Sequence, residues 1–251
     1  MFEARDSQRK EVDSRKREQR HAFEQVCEQV EALAQSAGTD EEQIRRSLRE
    51  LHQRWKDELA AHPAPAALDS RFRAARSAVE DLLGARSRGR EAAVWQALLA
   101  KARLCEELDA VLAGEPPAQP DRESLGRRWD EQPALPAAWE QKMLSRRDET
   151  LRAFDDEDAR YDHLDRIDDG AAVRRDALLE LELALGLPSP ADLAKERLAV
   201  QVKQLRSRFK SAAGGGNASE TLLEWCATPG VADERDRGRC AKIVESLQRR
   251  H

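Results

Sequence analysis

A five-residue phrase occurs twice in the chain and restricts its fold more than any other feature. Leu51-His-Gln-Arg-Trp55 and Leu125-Gly-Arg-Arg-Trp129 each lie in a helical run that breaks at prolines: Pro63 and Pro65 after the first, Pro133 and Pro136 after the second. A new helical pattern starts at Leu68 in one copy and at Trp139 in the other. Proline lacks the amide donor and clashes with the preceding turn, so each copy reads as helix, sharp turn, helix. Leu51, Trp55, Leu125, Trp129 and Trp139 fall on apolar stripes and are read as structural core.

The rest of the chain obeys the same period. Phe23, Val26, Cys27 and Val30 recur at spacings of three and four, as do Ile44, Leu48, Leu51 and Trp55, and then Leu68, Phe72, Ala75 and Val79. Gly84 and Gly89 precede a separate stripe, Trp95 to Leu112, and Leu198, Val202, Leu205 and Phe209 form a later one. Thr39-Asp-Glu-Glu42 reads as a capping box, Asp121 as a helix cap, and Gly186-Leu187 as a Schellman stop. No run of β-branched residues alternates with period two. Charged residues make up 36% of the 251 and aromatics 4%, which leaves bulky apolar material for only a thin seam. The expected fold is all-α: long antiparallel helical hairpins in an elongated helical-repeat bundle with coiled-coil-like seams.

Self-comparison extends the opening phrase into a repeat. Cys27-Glu-Gln-Val-Glu-Ala-Leu matches Cys105-Glu-Glu-Leu-Asp-Ala-Val, and the segment near Leu178 followed by Leu205-Arg-Ser-Arg-Phe209 reads as a third, degenerate copy. The domains expected are unit 1 over 1–83, unit 2 over 84–154, a degenerate unit 3 over 155–211, and a C-terminal segment over 220–251 beyond the Gly214-Gly-Gly216 linker. No cap precedes the first helical pattern, as in a segment of a longer array. The Leu-x-x-Arg-Trp helices, their proline breaks, the Cys-Glu helices before them and the stretch LELELALGLPSPAD resemble the bacterial family catalogued as domain of unknown function 349. That resemblance implies an all-helical fold and no established catalytic activity.

The chemistry-bearing residues give few function classes. Cys27, Cys105, Cys226 and Cys240 lack Cys-x-x-Cys spacing, and the reading is of buried, reduced thiols in a cytoplasmic protein. The acidic run Asp155 to Asp169 fails the EF-hand template, with Ala159 and Arg160 at its fifth and sixth positions. The five histidines are scattered, and Tyr161-Asp162-His163 reads as a chance cluster. No metal, cofactor, membrane span or catalytic activity is expected. Arg71, Arg73, Arg76, Arg86, Arg88 and Arg90 form the densest basic stretch and are the candidate contacts to phosphate or to a partner, in a chain whose net charge is −5. Arg54 and Arg128, beside the tryptophans, are expected to face outward. The leading expectation is a non-enzymatic scaffold or adaptor that binds a protein partner through charged helix faces. The alternative is an RNA- or ribosome-associated protein that uses the Arg-rich helix face.

Overall fold

The computed structural model describes residues 2–36, 38–114, 118–210 and 217–249; within these, side chains are described from 9 to 206 and from 217 to 249. The fold is all-α. Among the described residues the helices are α1 (Phe2–Ala34), α2 (Glu41–Ala61), α3 (Ala66–Leu112), α4 (Arg122–Asp130), α5 (Ala137–Ala153), α6 (Glu157–Leu185), α7 (Ala194–Lys210), α8 (Ala218–Ala227) and α9 (Glu234–Gln248). A single 3₁₀ turn, Ala191–Leu193, precedes α7. No helix among these residues is long and apolar enough to cross a membrane.

The proline punctuation acts as the sequence requires. α2 ends two residues before Pro63 and α3 starts at the residue after Pro65; α5 starts at the residue after Pro136. Asp121 caps α4 by accepting from the Ser124 amide at 3.0 Å. Gly186 ends α6 in the left-handed region at φ 70°, with the Leu187 amide returning to the Glu182 carbonyl at 2.8 Å. This is the Schellman geometry, which glycine adopts without a Cβ clash. The α2 cap differs from expectation by one residue. Asp40, rather than Thr39, accepts from the Gln43 amide, because a carboxylate next to the first turn also complements the positive end of the helix.

Two compact units divide the chain, residues 1–89 and 90–251. The expected boundary at 83/84 therefore lies inside a continuous helix, and residues 90–154, 155–211 and 220–251 fall in one unit, with 84–89 in the first. α3 runs through Gly84 and Gly89 without a break. Each glycine costs a helix about 1 kcal/mol relative to alanine, which is too little to end a helix of this length. Arg86 braces the passage by donating to the Ser36 and Thr39 carbonyls at 2.6 and 2.8 Å.

Unit 1 is an up-down-up arrangement of α1, α2 and the first part of α3. Gln29 meets Arg54 and Gln19 meets His62, so α1 and α2 are antiparallel. Cys27 meets the Leu68 carbonyl and Glu31 meets Arg71, so α1 and α3 are parallel. Its core holds Phe23, Val26, Cys27, Val30, Ile44, Leu51, Trp55, Leu68, Phe72 and Val79, all buried. Unit 2 packs the second part of α3 with α4 to α9 around Leu98, Leu108, Met143, Leu178, Leu222 and Ile243.

One expected core stripe is absent from both cores. Among the described side chains of α7 only Val200 is buried, at 3% exposure, whereas Leu198, Val202 and Leu205 are 60%, 38% and 47% exposed. The side chain of Phe209, the last member of that stripe, lies outside the described residues, as do those of Ser207 and Arg208 in the degenerate third copy and the Gly214–Gly216 linker. α7 turns Val200 and Lys203 toward α6, where Lys203 stands 3.6 Å from Glu180, and this rotation leaves the leucines outside.

Candidate functional sites: an arginine series and a buried ionic network

The candidate arginines share a helix, and they do not share a face. A helix turns about 100° per residue, so residues 72, 75, 79 and 83, all buried, define its core side. Arg71 and Arg76 flank that side, Arg86 lies on it, and Arg73 and Arg88 point away from it. Arg71 clamps Glu31 with two hydrogen bonds of 2.7 Å. The hydrogen bonds from Arg71 hold the Glu31 carboxyl below its ordinary range despite some desolvation. Arg73 pairs with Asp69 and Arg76 with Glu80, each one turn away along α3. Arg88 and Arg90 are exposed. Most of the series is thus committed to carboxylates or carbonyls of its own unit.

The arginines beside the tryptophans face outward, as expected, but they are not left free for a partner, because each holds a group of its own unit. Arg54 donates to Gln29 at 2.8 Å, and Arg128 holds Glu107 with bonds of 2.7 and 2.9 Å. Positions 29 and 107 stand two residues beyond Cys27 and Cys105, so both Trp helices are tied at corresponding points. These pairs are exposed, and solvent screens them. Arg128→Ala is expected to lower stability by less than about 1 kcal/mol in urea unfolding.

Around the tryptophans the two copies diverge. Trp55 is packed between aromatic rings: Phe72 stacks on it at 4.2 Å with planes 4° apart, and Phe23 meets it edge-on at 4.9 Å. Trp129 is packed between cations instead, with Lys101 at 5.1 Å and Arg147 at 4.8 Å from its ring centre. Its indole N–H donates to Glu140 at 3.1 Å, and Lys101 bonds both oxygens of the same carboxylate. Trp139 lies half-buried against Trp95, ring centres 5.2 Å apart.

The same substitution of charge for apolar bulk continues deeper in unit 2. α3 brings Glu106 and Asp109 inward, α5 brings Arg146 and Thr150, and α6 brings His163 and Arg174, all buried. Asp109 is fully buried and accepts four hydrogen bonds. They come from His163 Nε2 at 2.9 Å, Thr150 Oγ1 at 3.1 Å, Arg146 Nη2 at 2.7 Å and the Gly230 amide at 2.9 Å. Because an ionised carboxylate only accepts, His163 Nε2 is the protonated nitrogen of this bond. Arg146 also donates to the Cys226 and Gly230 carbonyls. Arg174 pairs with Glu106 and donates to the carbonyls of Thr228 at 3.2 Å and Gly230 at 3.0 Å, while its guanidinium lies 4.3 Å from the centre of the Trp225 ring.

Three helices therefore converge on one object, the Cys226–Gly230 turn between α8 and α9. Desolvation pushes the Asp109 carboxyl up, but the His163 hydrogen bond, the Arg146 charge and the Gly230 amide outweigh it and leave it below the ordinary range. Burial pushes the neighbouring Cys105 and Cys240 thiols up to about 12 and Cys226 well above its ordinary value, so these thiols stay protonated and poorly nucleophilic. All four cysteines are free and buried. Among the described residues no three His, Cys, Asp or Glu side chains stand close enough to hold a metal ion.

Gly170 is where α6 meets the turn. A Cβ there would lie 2.4 Å from the Pro229 carbonyl oxygen, a backbone atom that cannot rotate away. Gly170→Ala is expected to displace the turn and lower the unfolding midpoint, at a cost of about 1–3 kcal/mol.

This network was not among the residues singled out from sequence. Tyr161-Asp162-His163 read as a chance cluster, yet His163 is 2% exposed and bonded to a carboxylate 54 positions away. A signal was present in the spacing: Glu106 and Asp109 interrupt the run Cys105, Leu108, Leu112 on its apolar side.

No curated protein and no solved structure matches the chain. The model of the family described as Domain of Unknown Function (DUF349) matches residues 1–60, which hold α1 and the Trp55 phrase, so the family resemblance is shown over the first of the two copies.

Proposed function

We propose that the chain acts as a non-enzymatic helical scaffold or adaptor whose outer helix faces bind a protein partner. One observation carries this reading. The densest cluster of chemically capable side chains, around Asp109, Arg146, His163 and Arg174, spends its hydrogen bonds on a turn of the same chain. What remains for a partner is the solvent side of the helices. The alternative, RNA association through Arg71 to Arg90, draws less support, because these arginines spread around α3 and Arg71, Arg73, Arg76 and Arg86 already hold groups of unit 1.

Capture from lysate separates the two. Full-length protein is immobilised and washed at low and high salt, with and without nuclease. A scaffold retains a protein after nuclease treatment. An RNA-binding protein loses its cargo to nuclease, releases it steeply as salt rises, and weakens when Arg86, Arg88 and Arg90 are replaced by alanine. That second pattern would overturn the scaffold reading.

A further inference from the structure

Among the described residues of unit 2, the exposed stripe of α7 is an apolar helix face that the unit's own core does not use. Leu198, Val202 and Leu205 recur at i, i+4 and i+7 on the solvent side, and the sequence continues the series at Phe209. Elsewhere in unit 2 stripes of this spacing are buried, as at Leu98, Ala102 and Cys105 on α3. The charge around the stripe is as distinctive as its exposure. In a chain with net charge −5, the described α7 side chains carry Lys195, Arg197, Lys203 and Arg206 against Glu196 alone. Helical geometry puts Lys195 and Arg206 directly beside the stripe on one flank, both exposed.

These features select among occupants. A second α7 would bring like charges together along the same seam. The acidic face of α6 offers no match either: Asp158, Asp162, Asp165 and Asp169 are exposed and run down its centre, where the α7 leucines need an apolar surface. The stripe is one residue wide, as in a helix–helix seam, whereas a helix that lies in a lipid surface presents a broad apolar sector. We propose that α7 docks an acidic amphipathic helix of a partner protein, its apolar residues seated along Leu198, Val202 and Leu205 and its carboxylates on Lys195 and Arg206. The proposal rests on the scaffold reading and names its binding face.

The test uses the full chain and a synthetic helical peptide with leucines at i, i+4 and i+7 and flanking glutamates. Its control carries lysines in place of the glutamates. The glutamate peptide is expected to bind by fluorescence anisotropy, and to weaken at least about tenfold, a change of ~1.4 kcal/mol, with Leu198→Glu and Leu205→Glu together. Both leucines are exposed, so the unfolding midpoint is expected to stay in place. Lys195→Glu with Arg206→Glu is expected to shift preference toward the lysine peptide and to remove the salt dependence. Equal binding of both peptides, no binding, or binding indifferent to the leucine variants would overturn the proposal. Leucine-dependent binding of phosphatidylglycerol vesicles or of poly(U) RNA in place of the peptide would overturn it as well. If lysate capture persists unchanged in the leucine variant, the α7 site falls while the scaffold reading stands; if the wild type captures no protein, the scaffold reading falls.

Discussion

Asp109→Asn is expected to cost about 3–5 kcal/mol, the range for removing one partner of a buried ion pair. That is a large share of a domain stability of roughly 5–15 kcal/mol. The change keeps the volume of the side chain and removes the charge opposite Arg146, whose side chain is 2% exposed. It also replaces an oxygen that accepts from two donors with an amide that donates. Urea unfolding followed by circular dichroism measures the loss. The same carboxylate sets an acid limit. Its folded value lies below the unfolded one of about 3.9, so its contribution is whole above that pH and is lost as pH falls through the folded value. Wild-type stability is therefore expected to drop below about pH 4, and the asparagine variant to lack that part of the drop.

Trp55→Ala is the second large effect, at about 3–5 kcal/mol from lost packing and cavity. Trp55 is 3% exposed, with Phe72 stacked on it and Phe23 packed edge-on against it. Aromatic pairs add roughly 0.5–1.5 kcal/mol beyond their buried area. In a core as small as that of unit 1 no neighbour is free to fill the space. Thermal unfolding is expected to show a fall of several degrees or more, with Trp55→Phe retaining part of the loss. A variant as stable as the wild type would mean that this ring does not hold the core of unit 1 together.

Local rules of helix punctuation hold in the local structure. The prolines end and start helices where they stand, Asp121 and Gly186 cap as their chemistry dictates, and Leu51, Trp55, Leu125 and Trp129 are buried. What failed to show was set by contacts between distant positions. Nothing near Arg54 or Arg128 announces Gln29 or Glu107 as a partner. The burial of Glu106, Asp109, Arg146 and His163 depends on three helices and the Cys226–Gly230 turn supplying partners together, and in a chain this charged, a carboxylate on an apolar stripe looks ordinary. The Arg71–Arg90 stretch looked like one basic face because sequence density ignores rotation about the helix axis. The α7 stripe misled in the opposite direction. Its period was right, but whether a face is covered depends on what the rest of the unit brings to it.

The most direct test asks whether the cluster around Asp109 is a closed internal lock or an opening to a ligand. The Gly230 amide reports on it, since its hydrogen bond to Asp109 is the backbone contact that joins the α8–α9 turn to α3. Native-state hydrogen exchange of the wild type and of Asp109→Asn, read on peptides covering 226–232, makes the measurement. Slow exchange through global unfolding in the wild type, accelerated in the variant, is the expected result. Fast exchange at 226–232 in the wild type, under conditions where 105–112 remains protected, would contradict it and return the buried network to the candidates for a ligand site.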